Sequence, residues 1–289
     1  MSYTIKARCV KHISNQYTFK IDNQMTIVKA SGKLRLSVSP MVGDWCALEK
    51  IGDEFVIQKV LPRHNALTRP SIANVDQAMI VTSLFRPDFS STLLDRQLML
   101  IAYENIEPLI IVTKCDLVEE GNPVFGLIKD YKDAGYTILV TGFNHPIQHI
   151  YDHLKDKITV LTGQSGAGKS ALINRLDPTF QLITQETSKA LNRGKHTTRH
   201  VQLHEVGGGL LADTPGFSSL SFANLDPHIC AHLFKEFAPY VSECRFNDCL
   251  HINEPDCAIK NAVAEGKIAK FRLENYQEII QMIKEEKRP

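Results

Sequence analysis

Residues 162–172 read TGQSGAGKSAL, and GQSGAGKS at 163–170 has the spacing G-x-x-x-x-G-K-[ST]. The apolar ITVL before it reads as a strand and SALINRL after it as a helix, the setting in which this spacing holds phosphate. Gly163, Gly166 and Gly168 take Cβ atoms out of the way. The backbone N–H groups of the loop, Gln164, Ser165 and Ala167 included, can then turn inward around a β-phosphate, and the helix N-terminus adds its dipole. Lys169 supplies a cation to the β and γ oxygens, and Ser170 a hydroxyl for Mg²⁺.

Two further stretches complete a nucleotide site. In LLADTPG at 210–216 an apolar strand ends in Asp213, which can hold the hydration shell of Mg²⁺, and the Gly216 N–H can meet a γ-phosphate. Such a D-x-x-G alone is an ordinary turn; behind a phosphate loop it carries weight. In IIVTKCD at 110–116, Thr113, Lys114 and Asp116 form a base-reading segment. The Asp116 carboxylate can accept from the N1–H and exocyclic N2–H of guanine, a donor pair that adenine lacks, so GTP is preferred to ATP. Thr113 stands where GTPases usually carry Asn, which leaves one structural hydrogen bond open. VTG at 140–142 reads equally as the loop that closes over the base and as a plain strand end. The base-reading segment precedes the phosphate loop, the reverse of the usual order. Joining the old termini and opening the chain elsewhere keeps the same strands in one sheet, so the domain is read as circularly permuted.

The chain has 289 residues, 43% hydrophobic and 22% charged, and a formal net charge of +1, the balance of a soluble globular protein without a global basic field. The first residues, MSYTIKARCVKH, hold no apolar core, and no window reaches the ~18 apolar residues of a membrane span; a cytoplasmic protein is expected. Residues 1–65 alternate apolar and polar positions in YTFKI, MTIVKA, WCALEKI and EFVIQKV, which predicts an OB-like or SH3-like β-barrel. Residues 66–222 carry short apolar runs between helical stretches, the texture of an α/β domain with a buried parallel sheet. Residues 223–289 hold a helical PHICAHLFKEFAPY and a terminal helix, AKFRLENYQEIIQMIKEEK, with an apolar stripe.

Seven cysteines without a secretion signal argue for free thiols or a metal site. Cys244, Cys249, His251 and Cys257 give C-x₄-C-x-H-x₅-C, three thiolates and an imidazole suited to one tetrahedral, closed and structural Zn²⁺. SKALNRGKHTTRH at 188–200 carries Lys189, Arg193, Lys195 and Arg199 and no acid. It is either a solvated loop or one that grips phosphate backbone once ordered by GTP. Lys33 and Arg35, with Lys29, can add a basic patch to the barrel.

The permuted motif order, PRHNALTRPSIANVDQ at 62–77, RGKHTT at 193–198 and ECRFNDCLHINEPDC at 243–257 together resemble the RsgA/YjeQ family of circularly permuted GTPases. The resemblance spans essentially the whole chain. It implies an OB-fold, a permuted GTPase domain and a C-terminal zinc domain, acting with the small (30S) ribosomal subunit and its rRNA late in maturation; a monomer is expected. By the same resemblance RGKHTT is the switch, with Thr198 rather than Thr197 as the Mg²⁺ ligand. Phe217 follows DTPG where related enzymes carry a water-orienting Gln, and an apolar ring cannot orient water. His196 is the substitute the resemblance offers; the alternatives are an RNA contact or a plain polar loop residue. The rival to catalysis is a non-catalytic rRNA-binding module that uses GTP as a structural ligand.

Overall fold

A computed structural model describes residues 4–14, 16–30, 38–68, 70–180, 201–212, 222 and 225–287. The chain divides into two compact units, one of Met1–Ala78, Ile147–Thr162 and Ser170–Ser219, the other of Met79–Pro146, Gly163–Lys169 and Leu220–Pro289. In chain order the elements are β1 (Thr4–Ile13), β2 (Gln16–Ile21), β3 (Gln24–Ala30), β4 (Trp45–Ile51), β5 (Glu54–Val60), β6 (Ala66–Leu67), β7 (Ile72–Ala73) and β8 (Gln77–Ser83). There follow α1 (Ser91–Tyr103), β9 (Glu107–Thr113), α2 (Val124–Asp133), β10 (Thr137–Val140), α3 (Gln148–Leu154), β11 (Ile158–Gly163) and α4 (Lys169–Leu176). The last are β12 (Leu203–Val206), β13 (Gly209–Ala212), α5 (Ala238–Val241), α6 (Ala258–Ala264) and α7 (Lys270–Glu286).

In the first unit β1 to β5 close a barrel in the order β1-β2-β3-β5-β4, with β3 and β5 parallel and the other neighbours antiparallel. The period-2 pattern sends Cys9, Phe19, Val28, Cys46, Leu48 and Ile57 inward. This is the expected OB-like barrel. The conspicuous stretch at 62–77 has a structural task. Arg63 donates through Nε and Nη2 to both oxygens of buried Asp44, each at 2.7 Å. Asn65 exchanges two 2.8 Å hydrogen bonds with the backbone of Val75. A Cβ at Gly43 would stand 2.0 Å from the Ala73 carbonyl oxygen, so only glycine fits there.

The same unit pairs β11 with β13 in parallel, and β12 with β13 as an antiparallel hairpin turning at Gly207–Gly208. The hairpin departs from an all-parallel reading, because HEVGGG places two positive-φ glycines where the chain must reverse.

In the second unit β9 and β10 are parallel, Leu109 opposite Thr137 and Val112 opposite Val140. Every residue of β8 is buried, as is every residue of β9 after Glu107, which is why these strands read as continuous apolar runs. Ser90 caps α1, its hydroxyl accepting from the Leu93 N–H at 3.2 Å. PHICAHLFKEFAPY, expected as one helix, is two short pieces: a 3₁₀ segment Pro227–Leu233, then α5. The break at Phe234, with φ −94° and ψ 119°, lets Phe234 and Phe237 stack at 4.9 Å in the core and turns Glu236 toward Arg272.

Arg272 on α7 is 1% exposed and pairs with Asp95 of α1, which is 0% exposed, and with Glu236. Asp95 also accepts from Tyr131 Oη at 2.5 Å and from Asn275 Nδ2 at 2.7 Å. The guanidinium lies 4.6 Å from the ring centres of both Tyr131 and Phe234. The two carboxylates hold Arg272 well above its usual pKa although burial opposes its charge. Arg272→Leu is expected to remove ~3–5 kcal/mol of unfolding free energy, because it strands two carboxylates without their cation. Urea denaturation measures it, and a loss under ~1 kcal/mol would count against this packing.

Candidate nucleotide site and metal centre

The strand, turn and helix read around GQSGAGKS are present as β11, the loop and α4. Gly163, Gly166 and Gly168 take φ of 129°, 80° and 90°. At Gly163 a Cβ would lie 2.0 Å from the Val81 carbonyl oxygen, so the loop leaves β11 in contact with the β8 backbone. Lys169 Nζ donates to the carbonyls of Gly163 and Gln164, both at 2.7 Å, and burial holds the ammonium below its usual pKa. A cation is thereby held against the carbonyls that open the loop. Ala167 is buried in the loop, and Ser170 follows Lys169 in the first turn of α4.

Thr113 ties two other segments to the end of its strand. At the end of β9 its hydroxyl reaches Ala167 O at 2.7 Å and Thr82 O at 3.1 Å, joining the base-reading segment to the phosphate loop. Lys114 adopts the left-handed conformation, φ 59° and ψ 31°, which swings its side chain across the same loop. Its ammonium donates to Gly166 O at 2.9 Å and to Arg86 O, and burial lowers its pKa. Asp116 is exposed, and its Oδ2 accepts from the Phe143 N–H at 3.3 Å.

Further contacts bring the VTG segment to Asp116. Cys115 N–H donates to Thr141 O at 3.3 Å, and a Cβ at Gly142 would stand 2.4 Å from Asp116 Oδ1. Thr141, Gly142 and Phe143 therefore lie directly against the base-reading carboxylate. Thr113, Lys114, Asp116, Gly163, Gln164, Gly166, Ala167 and Lys169 gather in one unit through these contacts. Phe143, which the sequence reading did not single out, adjoins this group through its N–H bond to Asp116. Asp213, Gly216, Phe217, His196, Thr198, Lys189, Arg193, Lys195, Arg199, Lys33 and Arg35 lie outside the described residues.

Among the described residues one group of three or more potential metal ligands is found. The ligand atoms of Cys244, Cys249, His251 and Cys257 all lie within 4.8 Å of one another. Cys244 Sγ is 3.5 Å from His251 Nδ1 and 3.9 Å from Cys257 Sγ, and His251 Nδ1 is 3.4 Å from Cys257 Sγ. A tetrahedron with metal–sulfur bonds of about 2.3 Å and metal–nitrogen bonds of about 2.0 Å has edges of roughly 3.5–3.8 Å, so the donors are spaced for a metal ion. Glu254 pins the intervening turn, accepting from Leu250 N–H at 3.0 Å and Ile252 N–H at 2.8 Å. Gln277 of α7 donates to His251 O at 2.9 Å. Burial pushes the Cys249 thiol up to about 12, so the thiolate form needs a cation beside it.

The fold and the site define a nucleotide-binding P-loop protein in which base-reading strand precedes phosphate loop, with a barrel before and a metal centre after. The profile of the RsgA GTPase family matches residues 60–223, and the chain belongs to that family. It is 41% identical over 291 residues to the "Small ribosomal subunit biogenesis GTPase RsgA" of Bacillus velezensis, covering 98% of each chain. Among solved structures it resembles YloQ, described as a circularly permuted GTPase, with a TM-score of 0.86, 34% identity, and 99% and 97% of the two chains covered. YjeQ from Thermotoga maritima matches with a TM-score of 0.85, 32% identity, and 97% and 99% covered.

Two outcomes follow from this geometry. Thr113→Val is expected to cost ~1–3 kcal/mol in urea unfolding, because the buried Ala167 carbonyl loses its donor. The purified chain is expected to carry one divalent metal ion per molecule by elemental analysis. Chelation should open residues 243–287 to protease, and Cys257→Ser should abolish retention of the metal.

Proposed function

We propose that the chain hydrolyses GTP to GDP and phosphate, binds the small ribosomal subunit in its GTP form, acts late in maturation of that subunit and leaves it on hydrolysis. The observation that carries the nucleotide reading is the Thr113 hydroxyl at 2.7 Å from Ala167 O, which fixes the spacing between the Asp116 carboxylate and the phosphate loop. A guanine base accepted by Asp116 and phosphates cradled at 163–170 belong to one ligand only if that spacing is rigid. Family membership and the name of the Bacillus velezensis relative support the ribosomal partner.

In this reading the amides of Gly163 to Ser170 and the Lys169 ammonium stabilise charge on the γ-phosphoryl group. Ser170, Thr198 and Asp213 would hold Mg²⁺; they offer only oxygen, which suits a hard cation, and the bound ion neutralises phosphate charge. Gly216 N–H meets the γ-phosphate, and His196 orients the attacking water in place of the Gln that Phe217 replaces. The Cys₃His centre holds one structural Zn²⁺, a closed donor set with no position left for water. Residues 1–65, 66–222 and 223–289 act as barrel, permuted GTPase and zinc-binding helical domain. Lys189, Arg193, Lys195 and Arg199 in the switch, and Lys33 and Arg35 on the barrel, face rRNA phosphates. The protein works as a cytoplasmic monomer, and no helix among the described residues is long and apolar enough to cross a membrane.

The test is GTP hydrolysis by the purified chain, alone and with equimolar small subunits, with ATP in parallel. Slow intrinsic turnover, a large increase with subunits and no matching increase with ATP are expected. His196→Ala is expected to lower the stimulated rate by about 100-fold or more with GTP affinity nearly unchanged. Tight GTP binding without stimulation would favour a non-catalytic rRNA-binding module, the reading that Phe217 supports.

A further inference from the structure

Phe143 combines two properties that seldom meet. Its ring is 80% exposed, the highest value among the large exposed hydrophobic residues described, yet its backbone is anchored. The Phe143 N–H donates to Asp116 Oδ2, His145 N–H donates to Gly142 O at 3.3 Å, and the Cys115 sulfur lies 3.9 Å from both His145 ring nitrogens. A Cβ at Gly142 would come within 2.7 Å of His145 Nδ1, so the turn is tightly folded beneath the ring. The loop is thus fastened to the base-reading segment while its aromatic ring is left in water.

A purine that presents its N1 and N2 edge to Asp116 must expose its π-face to whatever flanks that carboxylate. Two residues stand beside that carboxylate: Lys114, whose ammonium is tied to Gly166 O, and Phe143, whose backbone N–H is bonded to Asp116. We infer that Phe143 is a base-stacking residue, closing over a purine whose other face lies on the Lys114 stem. The inference rests on the guanine-nucleotide reading of the site and names a further residue of that site. Stacking on the base confers affinity but little choice between purines, since every base has a π-face, and leaves that choice to Asp116. Covering the ring also removes apolar surface from water, which bound nucleotide supplies and bare phosphate does not.

Two measurements on the full chain test it. Trp45 is the only tryptophan, so Trp45→Phe combined with Phe143→Trp puts one reporter at the base. GDP is expected to quench that fluorescence with the midpoint found by displacement of a labelled GDP, and inorganic triphosphate, which has no base, is expected to leave it unchanged. Phe143→Ala is expected to raise the GDP dissociation constant by about 5- to 100-fold, with affinity for inorganic triphosphate preserved as evidence of an intact phosphate loop. Phe143→Tyr should keep wild-type affinity and Phe143→Leu should lose most of it, since only the former retains the π-face. Labelled GDP that binds while the reporter stays silent overturns the stacking role and leaves the nucleotide site standing. GDP affinity unchanged in Phe143→Ala but weaker sedimentation with small subunits overturns it too, and reassigns the ring to a macromolecular contact. Wild-type protein that binds no GDP sinks the guanine reading and the stacking role together.

Discussion

One hydroxyl carries the constraint on which the site depends. In this chain the base-reading strand β9 and the phosphate loop are separated by α2, β10, α3 and β11, so nothing local sets the distance between them. Thr113 Oγ1 sets it, lying within hydrogen-bonding distance of Ala167 O in the loop and Thr82 O at the end of β8. A hydroxyl has one proton to donate, and sharing it between two buried carbonyls fixes β8, β9 and the loop at once. An Asn would have two donors for the task; the shorter Thr manages because the Gly163 turn brings the loop against Val81. Lys114 reinforces the frame from its unusual backbone conformation, spanning the loop to Gly166.

A second set of contacts makes α7 a strut. At its first turns Arg272 and Asn275 fasten it to Asp95 of α1, and Thr92 adds a 3.0 Å hydrogen bond to Asn275. One turn further Gln277 binds the backbone of the metal ligand His251. The buried face of α7, with Tyr276, Ile279, Ile280 and Ile283, shares a core with Met99 of α1 and with the ligands Cys249 and Cys257. The Cys₃His cluster is therefore continuous with the core that α1 and α7 share. A buried ion pair is a poor source of net stability but a strict specifier of geometry, since any other register of α7 would leave Asp95 charged and unpaired.

How much of this the sequence disclosed follows from how local each feature is. The phosphate loop and the Cys₃His centre are written within fourteen residues or fewer, so spacing alone exposes them. The barrel strands and the α7 stripe repeat at periods of 2 and 3.6, and these too were readable. The role of Thr113 was left open because its partner Ala167 lies 54 positions away. Nothing local marks Arg272, whose burial depends on Asp95, Glu236 and three aromatic rings supplied from elsewhere. The break at Phe234 was hidden because helical periodicity continues through it; a tertiary demand on Glu236 and Phe237 overrides it. VTGF carried too little pattern to separate a base-closing loop from a strand end.

The permuted arrangement also has a history on the ribosome that makes each copy of this protein. Asp95 emerges 177 residues before Arg272, and through most of translation it is an acid whose neutralising partner does not yet exist. Its helix cannot bury that face until the last element of the second unit has left the exit tunnel, because a lone carboxylate in an apolar core is too costly to desolvate. The loop to be closed is long, and its entropy must be lost before any of the α7 contacts are gained. The pairing inside the second unit therefore waits for synthesis of Lys270–Glu286.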